Sequence, residues 1–165
     1  MLFNADGTID LKLPDGIDKK FTTLKKTVLI DKSGKAVKKE DSYVLSDVAS
    51  VSFPRLDKTC KIEATVKATG NDDAFGFAFG ACDDKTEVYS IRFDLKNKQL
   101  VMSKDDLTRG TTPTQTNVAL TVPADKLFKV KIVAEKSVCV MYVNDKIAFS
   151  LSLIHISEPT RQEAI

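Results

Sequence analysis

At 165 residues, with 42% hydrophobic and 29% charged residues, the chain has the size and make-up of one ordinary globular domain. A formal net charge of +2 is too small to draw nucleic acid or an acidic membrane surface, and no apolar run approaches membrane-spanning length. The absence of tryptophan disfavours a sugar platform built on exposed indoles.

The first alternation, Ile9, Leu11 and Leu13, predicts a short strand. Pro14-Asp15-Gly16 predicts a turn, and the Lys- and Asp-rich stretch 12–26 a connector. Residues 27–30 are expected to be a strand and Asp31-Lys32-Ser33-Gly34 a tight turn. The Val- and Ser-rich stretch 43–53 predicts a strand or strand pair, ended by Pro54. In residues 59–68, Cys60, Ile62, Ala64, Val66 and Ala68 share one side while Lys61, Glu63, Thr65 and Lys67 share the other, the period of a half-buried strand. After a turn at residues 70–73, Phe75, Phe77 and Phe79 predict a core face, with Ala74, Gly76, Ala78 and Gly80 opposite, where small side chains admit close approach by another segment or a ligand.

Tyr89, Ile91, Phe93 and Leu95 stand in register on the next strand, which turns through Lys96-Asn97-Lys98 into residues 99–103. Residues 104–115 form a polar loop, Val118, Leu120 and Val122 a further strand, and Pro123-Ala124-Asp125 leads into the stretch 128–150. There Phe128, Val130, Ile132 and Ala134 alternate with Lys129, Lys131 and Glu135, and residues 138–143 are apolar on both sides, which suits a central strand. Asn144-Asp145 tolerates positive φ and closes a hairpin into residues 147–149. About ten short strands separated by turn signals, with no helical period, predict an all-β fold: an antiparallel β-sandwich of the concanavalin/lectin-like jelly-roll kind.

From Leu151 the text changes character. Residues 151–161, LSLIHISEPTR, match the translation of a transposase adapter used in sequencing libraries, and residues 162–165 would then be index sequence. Residues 151–165 are therefore expected to be an artefact, the natural protein being interrupted near Ser150. That removes His155, the only histidine, from the candidate acids, bases and metal ligands. Without it, histidine-assisted serine or cysteine catalysis has no base.

Cys60, Cys82 and Cys139 are odd in number and lack metal spacing, so they are read as buried free thiols. No Gly-rich phosphate loop and no clustered metal-ligand set occurs. The carboxylate pairs Asp72-Asp73, Asp83-Asp84 and Asp105-Asp106 lie beside turns and are read as solvated, with a calcium loop as the other reading. No two acids are placed by the strand pattern in a common cleft, as glycoside hydrolysis requires. Catalytic, cofactor-binding and metal-binding residues are accordingly assigned to none of the positions, and no cofactor is expected.

The run Ser137, Val138, Val140, Tyr142, Val143, Asn144, Asp145 and Phe149 resembles the closing strands of the C-terminal β-sandwich of glycoside hydrolase family 32. Residues 89–94 with 100–102 resemble a hairpin of the same module, and Phe3-Asn4-Ala5-Asp6-Gly7-Thr8-Ile9 resembles the last segment of that family's catalytic propeller as it enters the linker. The resemblance implies a bacterial β-fructofuranosidase-type parent acting on sucrose, fructans or related fructosides, through two aspartates and a glutamate on a five-bladed propeller. The motifs that carry them, Trp-x-Asn-Asp-Pro, Arg-Asp-Pro and Glu-Cys, do not occur here, and Asn71-Asp72-Asp73 is no substitute.

The implied division is residues 1–20 as the end of the propeller plus linker, 21–150 as the sandwich and 151–165 as the artefact. The implied role is mainly structural, the catalytic propeller being the partner, with fructan or sucrose-type sugars as ligands in the alternative of a carbohydrate-binding module, and a homodimer arising through the parent enzyme. A lectin-like glucanase is a third reading. The opening Met1-Leu2-Phe3 runs at once into polar residues, without the apolar stretch of a secretory leader, and cytoplasmic and secreted locations both stay open.

Overall fold

The computed structural model describes residues 2–3, 9–10, 12–25, 28–54, 57, 59–71, 73–80, 87–106, 114–135 and 138–152. Its strands in chain order are β1 (Leu2–Phe3), β2 (Ile9–Asp10), β3 (Asp31–Lys39), β4 (Ser42–Ser52), β5 (Thr59–Lys67), β6 (Ala74–Gly80), β7 (Glu87–Asp94), β8 (Gln99–Asp106), β9 (Thr114–Ala119), β10 (Leu127–Glu135), β11 (Val138–Val143) and β12 (Lys146–Ser152). One helical turn, α1 (Asp15–Asp18), stands between β2 and β3.

Two four-stranded antiparallel sheets make the sandwich, one ordered β12-β11-β10-β5 and the other β6-β7-β8-β9. This is the expected all-β, antiparallel architecture, and its physical basis is the period-two pattern. Pairing Ile132 with Ile62 and Met141, and Met141 with Phe149, sets one apolar row across all four strands of the first sheet. Ile91, Phe93 and Leu100 supply the facing layer, and both layers belong to one cluster of buried side chains. At its centre Phe93 stacks on Phe75 with ring centroids 4.5 Å apart and meets Phe128 edge-on at 5.4 Å. Phe93, Phe128 and Ile91 are fully buried, each burial contributing about 1.5–3 kcal/mol relative to exposure. Phe75 and Phe77 are half-buried against this cluster; the side chain of Phe79 lies outside the described residues.

The strand 138–143 is central, as expected, with buried side chains on both faces: Cys139 and Met141 inward, Tyr142 outward. Its hairpin turn is the expected one, Asn144 and Asp145 having φ of 50° and 63°.

The N-terminal third differs from expectation in three places; in the first, residues 28–30, expected in a strand, lie before β3 and outside any strand. Pro14-Asp15-Gly16 opens a helical turn, because the Pro14 carbonyl accepts from the amides of both Ile17 (2.9 Å) and Asp18 (3.0 Å). Asp31 to Gly34 is no tight turn but the first part of β3. Asp, Ser and Gly there serve a bulge: the register shifts between Ser33 and Lys35, and Gly34 adopts φ 63°. A Cβ at Gly34 would sit 2.1 Å from the Val48 carbonyl oxygen, so only glycine fits. The true reversal falls at Glu40-Asp41, between β3 and β4.

β3 and β4 form a separate two-stranded ribbon. Tyr43 and Phe53 meet edge-on at 6.1 Å and Ala36 is buried. Most of its other apolar residues face water: Val37, Val44, Leu45 and Val48 are exposed, Val48 to 96%, as are Leu24, Val28 and Ile30 just before it.

Candidate functional site

The two sheets present very different outer faces. That of β12-β11-β10-β5 carries long charged side chains, Lys61, Glu63, Lys129 and Lys131, and α1 lies against it. Asp18 of α1 bonds to Lys61 Nζ at 2.7 Å, and Lys61 also reaches Glu63 at 3.3 Å. The hydrogen bond from Lys61 lowers the Asp18 carboxyl below its usual range, and the same bond raises the Lys61 ammonium. The Lys61 side chain is only 15% exposed, and Val133 and Tyr142 beside it are buried, burial pushing the Tyr142 phenol up. α1 covers this face only around Lys61; Glu63, Thr65, Lys67 and Lys129 stay exposed.

The outer face of β6-β7-β8-β9 is exposed at Ala74, Gly76, Ala78, Arg92, Gln115 and Asn117, while Val101 at its middle is buried. Register places three rows on it: Ala74, Asp94, Gln99 and Ala119; Gly76, Arg92, Val101 and Asn117; Ala78, Ser90, Ser103 and Gln115. None of these residues is a lysine or glutamate. Arg92 is 55% exposed and lies 3.9 Å from the Asp94 carboxylate. That carboxylate accepts from both the side-chain and backbone amides of Asn97, each at 3.0 Å, and these bonds hold it below the usual carboxylate range, with Arg92 adding to the effect. Ser90 and Ser103 share a 2.8 Å hydroxyl–hydroxyl bond. The face therefore offers guanidinium, amide and hydroxyl groups over a floor of alanine and glycine, the mixture that hydrogen-bonds polyhydroxylated ligands.

The small residues of β6 have a structural reason too. A Cβ at Gly76 would meet the Ile91 carbonyl oxygen at 2.2 Å, so the close approach there is first of all that of the neighbouring strand.

Of the carboxylate pairs, Asp73 caps its own turn: its Oδ2 accepts from the amides of Thr69 (3.0 Å) and Gly70 (2.6 Å). Asp72, Asp83, Asp84 and His155 lie outside the described residues, as do the side chains of Asp105 and Asp106. Among the described residues no three His, Cys, Asp or Glu side chains gather as a metal-binding set. Cys60 and Cys139 are free thiols on the core side, flanking Ala134 across three strands, and burial pushes both up, Cys139 to about 11. Cys82 lies outside the described residues.

The Val-Asn-Asp run proves to be a fold determinant. Asn144 Oδ1 accepts from the Lys129 amide at 2.9 Å, and the Asn144 amide donates to the Lys129 carbonyl at 2.8 Å, while Asp145 pairs with Lys131 at 3.1 Å. The hairpin is thus locked to β10; Ser137 of the same run lies outside the described residues.

Comparison with known proteins now bears on this architecture. The family model described as GH32, BT1760-like, C-terminal domain matches residues 7–160. The chain belongs to that family. No curated protein sequence matches it. Among solved structures, the carbohydrate binding module CBM66 from Bacillus subtilis is similar with a TM-score of 0.56, 14% sequence identity, and coverage of 76% of this chain and 78% of that one. At that identity the likeness concerns the fold, and it agrees with the sandwich described above.

As a GH32 C-terminal domain the chain is an accessory, sugar-related β-sandwich, a type of module that accompanies a catalytic domain. Of this polar face of the GH32 domain, only the small residues of β6, Ala74, Gly76 and Ala78, were singled out from sequence. The signal of its polar groups was present in the alternation of Ser90, Arg92 and Asp94 and of Gln115 and Asn117, but which of them are exposed depended on tertiary packing.

Proposed function

We propose that this GH32 C-terminal domain is the accessory, mainly structural sandwich of a bacterial fructoside-hydrolysing glycosidase, whose catalytic propeller lies outside this chain. The observation that carries the reading is the apolar surface of residues 24–53. Val28, Ile30, Val37, Val44, Leu45 and Val48 are exposed on or beside a two-stranded ribbon, and such ribbons are marginal in water unless packed against something. A catalytic domain is the partner that the family supplies. Val37→Lys together with Val44→Lys is expected to break co-purification of this chain with the parent's catalytic domain. Unchanged co-purification removes the ribbon from the interface, and hydrolysis of sucrose or fructan by this chain alone refutes the assignment of the chemistry to another domain.

The open face of β6-β7-β8-β9 favours a second reading, a carbohydrate-binding module for fructan. Arg92, Asn117 and Gln115 would donate to and accept from sugar hydroxyls there. Titration with levan, inulin and sucrose distinguishes the two: saturable binding abolished by Arg92→Ala supports the module, and no binding leaves the structural role alone.

We further propose the division into residues 1–20, 21–150 and 151–165 given above. The residue-by-residue match of residues 151–161 to the translated adapter supports it. Since β12 runs on to Ser152, with Leu151 opposite Cys139, the proposed change of origin falls within a paired strand. Longer reads of the genomic locus are expected to replace LSLIHISEPTR with other sequence; finding it encoded in the genome refutes the division.

A further inference from the structure

At one end of the sandwich three connections converge on a depression of about 280 Å³. Gly70 and Asn71 come from the β5–β6 turn, Leu95, Lys96 and Lys98 from the β7–β8 turn, and Val122 and Lys126 from the β9–β10 connection. Among the described residues the lining has three ammonium groups and no carboxylate. We propose that this depression binds a single anionic saccharide residue, one that carries a carboxylate, sulfate or phosphate group.

The three connections are stitched together by backbone hydrogen bonds, which makes the rim a fixed one. The Leu120 amide donates to the Lys98 carbonyl at 2.8 Å, the Leu95 amide to the Asp73 carbonyl at 3.2 Å, and the Ala68 amide to the Lys126 carbonyl at 3.2 Å. Lys98 and Lys126 both hold left-handed backbone, with φ of 51° and 52°, a conformation that glycine or asparagine adopts at less cost. Two lysines therefore stand, at a conformational cost, at the two places where the chain reverses around the depression.

Among the described residues the nearby carboxylates have hydrogen-bond donors of their own, and Asp94 also feels the charge of Lys96. Asp73 accepts from the Thr69 and Gly70 amides, Asp94 from Asn97, and Asp125 from the Leu127 amide at 3.1 Å. Among the described residues Lys126 Nζ reaches the Thr69 carbonyl, at 3.3 Å. Neither Lys96 nor Lys98 has an ion-pair partner among the described residues.

Leu95, which is buried, and Val122, half-buried, give the depression apolar surface against which the C–H face of a sugar ring can rest. The volume lies just below the usual range for small-molecule sites, roughly 300–1,000 Å³, which suits one ring rather than a chain. Ammonium groups are strong donors to anionic oxygens and serve them as point charges.

The site is separate from the open face of β6-β7-β8-β9, and binding here does not depend on the neutral-fructan reading. The test is an NMR titration of this chain with glucuronic acid, glucose 6-sulfate, glucose 6-phosphate and neutral glucose, followed at the amides of Gly70, Asn71 and Lys98. Saturable shifts are expected for at least one charged sugar, with glucose at least about tenfold weaker and the charged-sugar affinity falling as salt is raised to about 0.2 M. The ranking of the three charged probes identifies the preferred anionic group.

Lys96→Gln and Lys98→Gln should each weaken binding about three- to tenfold with the spectrum otherwise intact. Lys67→Gln, exposed on β5, and Arg92→Ala should leave it unchanged. Equal binding of glucose, indifference to Lys98→Gln, or inorganic phosphate binding as tightly as glucose 6-phosphate at the same amides (an adventitious ion only) would each overturn the proposal.

Discussion

Phe93 is the side chain on which the two sheets turn, and its truncation tests the account of the core. The ring is fully buried, stacks on Phe75 at 4.5 Å, and makes edge contacts with Phe128 at 5.4 Å and Phe77 at 6.4 Å. Phe93→Ala removes the buried ring and leaves a cavity between layers that cannot collapse without bending β7 away from β8. The loss expected for such a change is about 3–5 kcal/mol. Against a typical domain stability of about 5–15 kcal/mol that is a large share. In a domain of this size it lowers Tm by roughly 6–20 °C.

Phe93→Leu, which keeps most of the buried area, is expected to cost about half as much. Urea denaturation followed by far-UV circular dichroism is the suitable assay, since the chain has no tryptophan. A double-mutant cycle with Phe75→Ala should return a coupling of about 0.5–1.5 kcal/mol for the stacked pair. A loss below about 1 kcal/mol for Phe93→Ala, or zero coupling to Phe75, would refute the aromatic cluster as the centre of the core.

Three further outcomes are expected. Asn144→Ala deletes the acceptor of the Lys129 amide and puts alanine at φ 50°, for a combined loss of about 2–3 kcal/mol, whereas Asn144→Gly keeps the backbone conformation and loses about 1 kcal/mol; equal losses in urea titration would contradict this division. Asp18 has a lowered carboxyl pKa in the folded state, so its pairing with Lys61 contributes stability above the ordinary value of 3.8 and loses it as pH falls through the lowered one. The wild-type urea midpoint should therefore drop more steeply in that acid range than that of Asp18→Asn, and identical acid profiles would remove the pairing from the account. The Cys139 thiol, at about 11, is protonated and buried at pH 8, so native protein should leave it unlabelled by a thiol reagent until urea is added, as peptide mass spectrometry would show; rapid native labelling at Cys139 would contradict its place in the core.

How far these features could be read beforehand varies along the chain. Alternation in residues 59–68, 89–95 and 128–135 determined strands and their buried faces, because the same residues that favour a pleated strand also build the core once paired. Asn144-Asp145 determined its hairpin for a local reason: both residues tolerate the left-handed backbone the turn requires. The Val-Asn-Asp run determined the family as well, since its side chains hold that hairpin to β10.

Where local and distant signals competed, sequence was insufficient. Asp-Lys-Ser-Gly at 31–34 has turn chemistry, yet pairing with β4 over the length of the ribbon overrode it and turned the glycine to a bulge. Likewise, nothing local tells which sheet face is open. Around Lys61 the cover comes from α1, through the contact of Asp18 with Lys61, which lie 43 positions apart. The depression among Lys96, Lys98 and Lys126 is tertiary for the same reason. Alternation and turn chemistry act between near neighbours in the chain, whereas a face or a concavity exists only once strands and connections far apart in sequence have been brought together.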